Sequence, residues 1–174
     1  MIIISDSSPL IALLKSNCIN ILHELYGEVF VPPKVYEEVT GNSSYKNEAI
    51  VFKGLDFIKI SEIDLTTYAN KIQTDTFLDR GESESIALAK LCEDSALLII
   101  DEKKGRSVAK SLGIDITGSI GVIYAAFQSG YLNTDEVFEI IEIIKNTSLR
   151  ISDKLIDDLK NKIINKDKLQ EKSR

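Results

Sequence analysis

Four carboxylates stand where short apolar runs end or helices turn: Asp6 after MIII, Glu38 within PPKVYEEV, Glu82 within DRGESESIALAK and Asp101 at the close of ALLIID. Gathered in one place, such groups need compensation. Like charges about 4 Å apart repel by roughly 4 kcal/mol per pair at an effective dielectric of about 20, so protons or a divalent cation must neutralise them. A hard cation held by several oxygens is what metal-assisted phosphodiester hydrolysis requires.

Helical geometry sorts the glutamates. Val35 and Val39 are i and i+4 and define a buried stripe; at about 100° per residue Glu38 lies about 60° from Val35, bordering the core, whereas Glu37 points nearly opposite. The same rotation puts Glu82 between Ile86 and Ala89 on an inward face and Glu84 near Leu88 and Leu91. Each acid also has a purely structural reading. Asp6 or Ser8 can cap the helix that Pro9 begins, Asp101 can cap KKGRSVAK, and Asp79 with Glu82 fits an N-cap with its reciprocal partner. Lys103, Arg106 and Lys110, at i, i+3 and i+7, form one helical stripe along which phosphates could lie, or else a solvated face.

The elements that must position these groups follow from periodicity. Ile2 to Ile4, Val29 to Val31, Phe57 to Ile60, Leu97 to Ile100 and Ile114 to Ile116 read as strands buried on both faces. Helices fill the gaps: LIALLKS after Pro9, INILHELY to Gly27, a short one from Pro32-Pro33 to Gly41, then about 64–76, 81–92, 103–112, 119–130, 134–146 and 152–165. Residues 42–54, rich in Ser, Asn and Lys, read as a mobile loop. Strands separated by helices call for right-handed crossovers and a three-layer α/β/α fold with a central parallel sheet. In such sheets ligands collect beyond the carboxyl ends of the strands, where Asp6 and Asp101 fall.

Composition sets further limits. The 174 residues, 44% of them hydrophobic, fit one main domain, divided here as 1–150 with a helical extension and basic tail at 151–174. A net charge of −6 means that any nucleic-acid binding is local. Cys18 and Cys92 lack CxxC spacing and His23 is the only histidine, which argues against a zinc site, a disulfide scaffold or a His-based triad. No apolar run approaches 18 residues and MIIISD is no leader, so the expected setting is cytoplasmic, without membrane. Residues 160–174 hold six Lys or Arg and two Asp or Glu, a basic end that can guide nucleic acid or remain a frayed terminus. Aromatic and basic residues do not interleave along the chain, so no base-stacking platform is indicated. The turn Thr117-Gly118-Ser119 could offer backbone N–H groups to an anion, though tight packing of Gly118 and Gly121 explains it as well. The helix from Thr134 is apolar around much of its girth, from deep burial or from a dimer interface.

Taken together, ISDSSPLIALLKS, VFVPPKVYEEV, DRGESESIALAK and LLIIDEKKGRSVAKSLGIDITGSIGVI, in that order and followed by NTSLRISDKLIDDL, resemble a PIN domain, in particular a branch with GE-x-E-x-I-A-L-A and I-D-x-x-x-G-R blocks. The resemblance implies an α/β/α nuclease that hydrolyses RNA, with Mg²⁺ or Mn²⁺ held by Asp6, Glu38, Glu82 and Asp101 as catalytic ligands. Many relatives carry an aspartate in a D-x-x-I-A-x-x-A context where this chain has Glu82. Ser7 follows Asp6 where relatives often have Thr or Ser, which implies contact with metal-bound water or with substrate phosphate beside Lys103 and Arg106; as part of a capping turn it has a purely structural reading as well. The resemblance further implies a toxin of a toxin–antitoxin pair, with an antitoxin partner and a homodimer. Two rivals differ in class: the same fold as an inactive nucleic-acid or partner-binding module, and a phosphoacceptor receiver domain. The latter needs paired acids after its first strand and a Lys after its last; ISDSS has one acid and DITGSIG no Lys.

Overall fold

Unbroken apolar runs need cover on both faces, and three of the five runs are of that kind; Phe57 to Ile60 and Ile114 to Ile116, which carry Lys59 and Asp115, form the part-exposed edge strands of the same sheet instead of strands buried on both faces. In the computed structural model, which describes residues 1–41, 43–92, 94–146 and 152–171 and side chains as far as Asn165, the five are β1 (Ile2–Ser5), β2 (Val29–Val31), β3 (Ile58–Ile60), β4 (Ala96–Ile99) and β5 (Asp115–Thr117). All neighbours pair parallel in the order β3-β2-β1-β4-β5. Among the described residues ten α-helices surround the sheet: α1 (Ser7–Lys15), α2 (Ile21–Tyr26), α3 (Pro33–Gly41), α4 (Lys46–Lys53), α5 (Thr66–Thr76), α6 (Arg80–Leu91), α7 (Lys103–Ser111), α8 (Ser119–Gln128), α9 (Thr134–Lys145) and α10 (Asp153–Glu171). This is the three-layer α/β/α architecture expected. No helix among the described residues is long and apolar enough to cross a membrane.

Strand side chains alternate between two cores, as a period of two demands. Ile3, Val29, Val31 and Ile99 join Leu13 of α1 and Ile123 of α8 on one face. Ile4, Leu98 and Ile100 join Ile72 of α5 and Ile86 of α6 on the other. From β1 the chain moves out to β2 and β3, then returns to β1's other side with β4 and β5. Connections that leave neighbouring strands in opposite directions open a crevice beyond their carboxyl ends. Asp6 directly follows β1, Asp101 stands two residues past β4, and the Asp6 N–H donates to the Ile99 carbonyl at 2.9 Å.

The supposed loop after Gly41 is instead a 3-10 turn at Ser43–Tyr45 leading into α4, with Asn42 outside the described residues. Polar composition hid a short stripe: Ala49 and Phe52 are three apart and buried, and the Phe52 ring lies 5.6 Å from Tyr36 of α3. In α9, Val137, Ile140, Ile141 and Ile144 are buried within the protomer, while Phe138 is half-buried and Ile143 is exposed. Ile156, Leu159 and Ile163 of α10 enter the same core as α1 and α8, while the basic side chains past Asn165 lie outside the described residues.

Phe77 ends α5 with φ +54° and a ring 85% exposed. A bulky residue held left-handed costs about 1 kcal/mol, a conformation Asn tolerates. Part of that is offset because Lys104 lies 5.9 Å over the ring. Phe77→Asn is therefore expected to raise stability by about 0.5 kcal/mol, or 1–2 °C in Tm; a thermal melt that moves downward would show the ring to be packed in solution.

Candidate functional site

Asp6 is the N-cap residue of α1, so the chain turns there from strand to helix, and its side chain makes no capping hydrogen bond. It is 2% exposed, and Ser85 Oγ stands 3.4 Å from its Oδ1. Burial pushes its pKa up to about 8; the Ser7 backbone N–H offsets part of this, while the charges of Asp79, Glu82 and Glu38 add to the rise. Glu38 is half-buried where the Val35–Val39 stripe of α3 meets the core, as its helical position required, and Glu37 faces solvent. Burial raises its pKa too, a hydrogen bond from the Ser7 hydroxyl lowers it, and Asp79 raises it again. Glu82 sits in the first turn of α6, where burial and then Asp79 push its pKa up to about 7, against its backbone hydrogen bond and the more distant Lys104.

Asp6, Glu38 and Glu82 thus share one electrostatic neighbourhood, and Asp79 belongs to it as well. Asp79 was read in the sequence only as a cap. It does cap α6, accepting from the Glu82 N–H at 2.8 Å, but it also couples to all three other acids. Glu84 has a different use: it accepts from the Lys34 N–H at the start of α3 and from Arg80 Nε at 2.6 Å, tying α6 to α3. Asp101 occupies the β4–β5 side of the crevice. Its Oδ1 accepts from the Ser119 N–H at 2.8 Å; burial raises its pKa, and that hydrogen bond and Arg106 oppose the rise. Arg106 itself is held by the backbone, its Nη1 donating to the Ile100 and Thr117 carbonyls at 2.7 and 2.9 Å. Lys103 is exposed on the rim of the same cavity as Arg106 and Lys110.

Three of the acids rest against glycines, a relation invisible along the chain. A Cβ on Gly81 would stand 2.7 Å from Glu38 Oε2, one on Gly105 2.6 Å from Glu82 Oε1, and one on Gly118 2.6 Å from Asp101 Oδ1. Real Cβ atoms do not approach oxygen so closely, so these glycines leave the volume that the carboxylates fill. The sequence signal was the glycine inside the GE and GR blocks and the TGS turn; what it lacked was any indication of which side chain approaches.

Glu82 Oε1 and Asp101 Oδ2 are buried and, among the described residues, have no hydrogen-bond partner. Buried carboxylate oxygens without donors are costly, and a hard divalent cation is the ligand whose chemistry matches oxygen donors of this kind. The oxygens are spread, however: among the described residues no three His, Cys, Asp or Glu side chains form a ready-made metal-holding group. Water molecules between oxygen and cation, or side-chain rotation, would have to complete a shell, and Mg²⁺ in particular retains several waters.

A family model described as a PIN domain matches residues 2–165 of the chain. No curated protein matches it.

Proposed function

This chain belongs to the PIN-domain family, and we propose that it is a metal-dependent ribonuclease, a toxin-type enzyme whose partner is an antitoxin protein. One observation carries the reading: an acid buried at the carboxyl end of the central strand, with Glu38, Asp79 and Glu82 near enough to raise its pKa. Such an arrangement is costly without a cation and is useful with one.

Asp6, Glu38, Glu82 and Asp101 would hold Mg²⁺ or Mn²⁺. When bound, the cation supplies a more acidic water and neutralises charge on a phosphate oxygen. The remaining work belongs to side chains. Asp6 is fixed by the sheet and by α1, so its oxygens move little. Ser7 holds the Glu38 carboxylate with its one hydroxyl proton and would have to release that acid to reach a phosphate; Asp79 fixes the first turn of α6, and thereby Glu82. The Ser119 N–H holds one oxygen of Asp101 and leaves its second, buried oxygen without a partner among the described residues. Lys103 would meet the substrate's phosphates, and Arg106, anchored through one nitrogen, would add charge behind them.

A second reading, an inactive module that binds nucleic acid or a partner, is favoured by the absence among the described residues of a preformed three-ligand group. Two measurements separate them. Single-stranded RNA is expected to be cut with Mn²⁺ or Mg²⁺ and left intact with chelator; no cutting with any divalent metal would leave the binding module. Either cation is also expected to raise Tm by several degrees at a concentration about 100 times its Kd, because it binds only the folded chain. Glu38→Gln should reduce that rise at least twofold, and an unchanged rise would remove Glu38 from the metal shell.

A further inference from the structure

A cavity of about 820 Å³ opens between α7, α8 and α10, with Asp101, Lys110, Tyr124 and Lys162 among its lining residues. We propose that this cavity is the track of a single-stranded RNA, with Tyr124 and Lys162 forming a position on which one unpaired base stacks; the inference rests on the ribonuclease reading and adds where on the chain the strand lies.

Charge comes first. Lys103 and Lys110 on α7 are exposed, and among the described residues neither they nor Lys162 pairs with a carboxylate. The lining sets Lys103, Arg106, Lys110 and Lys162 against Asp101, Glu102 and Asp158, and in a chain of net charge −6 its three unpaired lysines are a local feature that attracts a phosphate backbone where the whole molecule would not. The second observation is aromatic. Lys162 Nζ lies 5.3 Å from the centroid of the Tyr124 ring, although the two residues are far apart in sequence. No basic–aromatic interleaving therefore shows along the chain, yet the fold builds the pairing across the groove. A half-buried tyrosine stacked near Phe127, with ring centroids 6.5 Å apart, is a rigid surface. A base can replace the ammonium on the ring, and the freed Lys162 then reaches the phosphate beside it. Only an unpaired base has a face free for this, which selects single strands over duplex. The third observation is place: Asp101 is itself one of the lining residues, so a strand held in the cavity meets one of the site's acids.

The test is a binding measurement on the full chain by fluorescence anisotropy, with a short labelled single-stranded oligoribonucleotide and chelator to prevent cutting. Tyr124→Ala is expected to weaken binding about tenfold, whereas Tyr124→Phe retains it. Lys162→Gln should weaken binding about threefold and reduce the salt slope by about 0.7. Asp158 is the acid that α10 contributes to this lining, and Asp158→Asn should tighten binding about twofold. Lys162 and Asp158 are exposed, so their variants decide the matter even if Tyr124→Ala misfolds. Unchanged affinity in both, or equal affinity for duplex RNA, overturns the track. Cutting by the wild type with Mn²⁺ is read separately. Cutting with unaltered binding in the variants sinks the track alone; groove-dependent binding without cutting sinks the nuclease reading alone.

Discussion

Asp6→Asn is expected to melt several degrees above the wild type at pH 8 in chelator while cutting RNA at least 100-fold more slowly with metal. Both effects come from the same carboxylate. In the metal-free protein Asp6 is buried and its pKa stands at about 8, against an ordinary value of 3.8. A group whose folded pKa is raised stabilises the fold below its unfolded pKa, and loses that contribution as pH climbs through the folded value. The metal-free protein should therefore weaken steadily between about pH 4 and pH 8, and Glu82, with a pKa of about 7, contributes in the same direction. Asn cannot ionise, so the variant escapes this loss. The full linkage for such a shift is about 6 kcal/mol and is nearly complete by pH 8; even half of it is roughly 6 °C or more in Tm for a chain of this size. Melting curves at pH 5 and pH 8 with EDTA read it directly: the variant's advantage must shrink toward pH 5. If the wild type is instead more stable at pH 8 than at pH 5, Asp6 is already ionised and compensated by groups within the chain, and the case for a cation fails.

Protons and cation compete for the same oxygens, so metal affinity should rise with pH until Asp6 and Glu82 are both ionised without help. Removing Asp6 removes the ligand fixed most firmly by secondary structure, which is why its loss should exceed the 10–100-fold typical of residues that only support a ligand. The split between a firmer fold and a lost reaction is what distinguishes a costly functional acid from a capping residue. A cap replaced by Asn would change neither by much.

Much of this layout was legible in the sequence because it depends on local periodicity. Short runs rich in Ile, Val and Leu located all five strands, two of them despite Lys59 and Asp115, and a repeating strand–helix pattern allows few topologies besides a parallel sheet. Asp6 and Asp101 could be placed because a residue following a parallel strand must emerge at the carboxyl edge. Glu38 could be placed because one helix rotation separates it from Val35. What could not be read depends on approach between distant segments. The α4 helix was missed because only Ala49 and Phe52 bury on it, too few for a period to stand out against Ser, Asn and Lys. Asp79 read as a cap, since nothing along the chain shows that α6 begins beside β1. Arg106 read as a phosphate contact, while in the fold one of its nitrogens secures the ends of β4 and β5. Tyr124 and Lys162 meet only because α10 packs back across α8.

The glycines beneath the acids should behave unlike ordinary packing residues. In Gly105→Ala the added Cβ would meet Glu82 Oε1 and Ile100 Cδ1, both at 2.6 Å, and both are the outer ends of side chains that can turn aside. The backbone need not move, so the stability cost should stay below about 2 kcal/mol. The carboxylate does have to move, and it carries the buried oxygen that lacks a partner. Metal affinity and cutting should then fall about 10–100-fold while the fold survives, the behaviour of a residue that positions a ligand. Gly54→Ala is the matched control, because a Cβ there meets its nearest atom at 3.4 Å and no acid. Metal titrations followed by Tm, alongside RNA cutting, separate the two variants. If Gly105→Ala keeps the wild-type metal response, Glu82 does not face the cation, and the site shrinks to Asp6, Glu38 and Asp101. Gly81→Ala would repeat the test on Glu38, whose two oxygens lie 2.7 and 2.8 Å from the added carbon. Equal losses at both glycines would mean that the cation contacts α3 and α6 together, which only a cluster spanning both helices can produce.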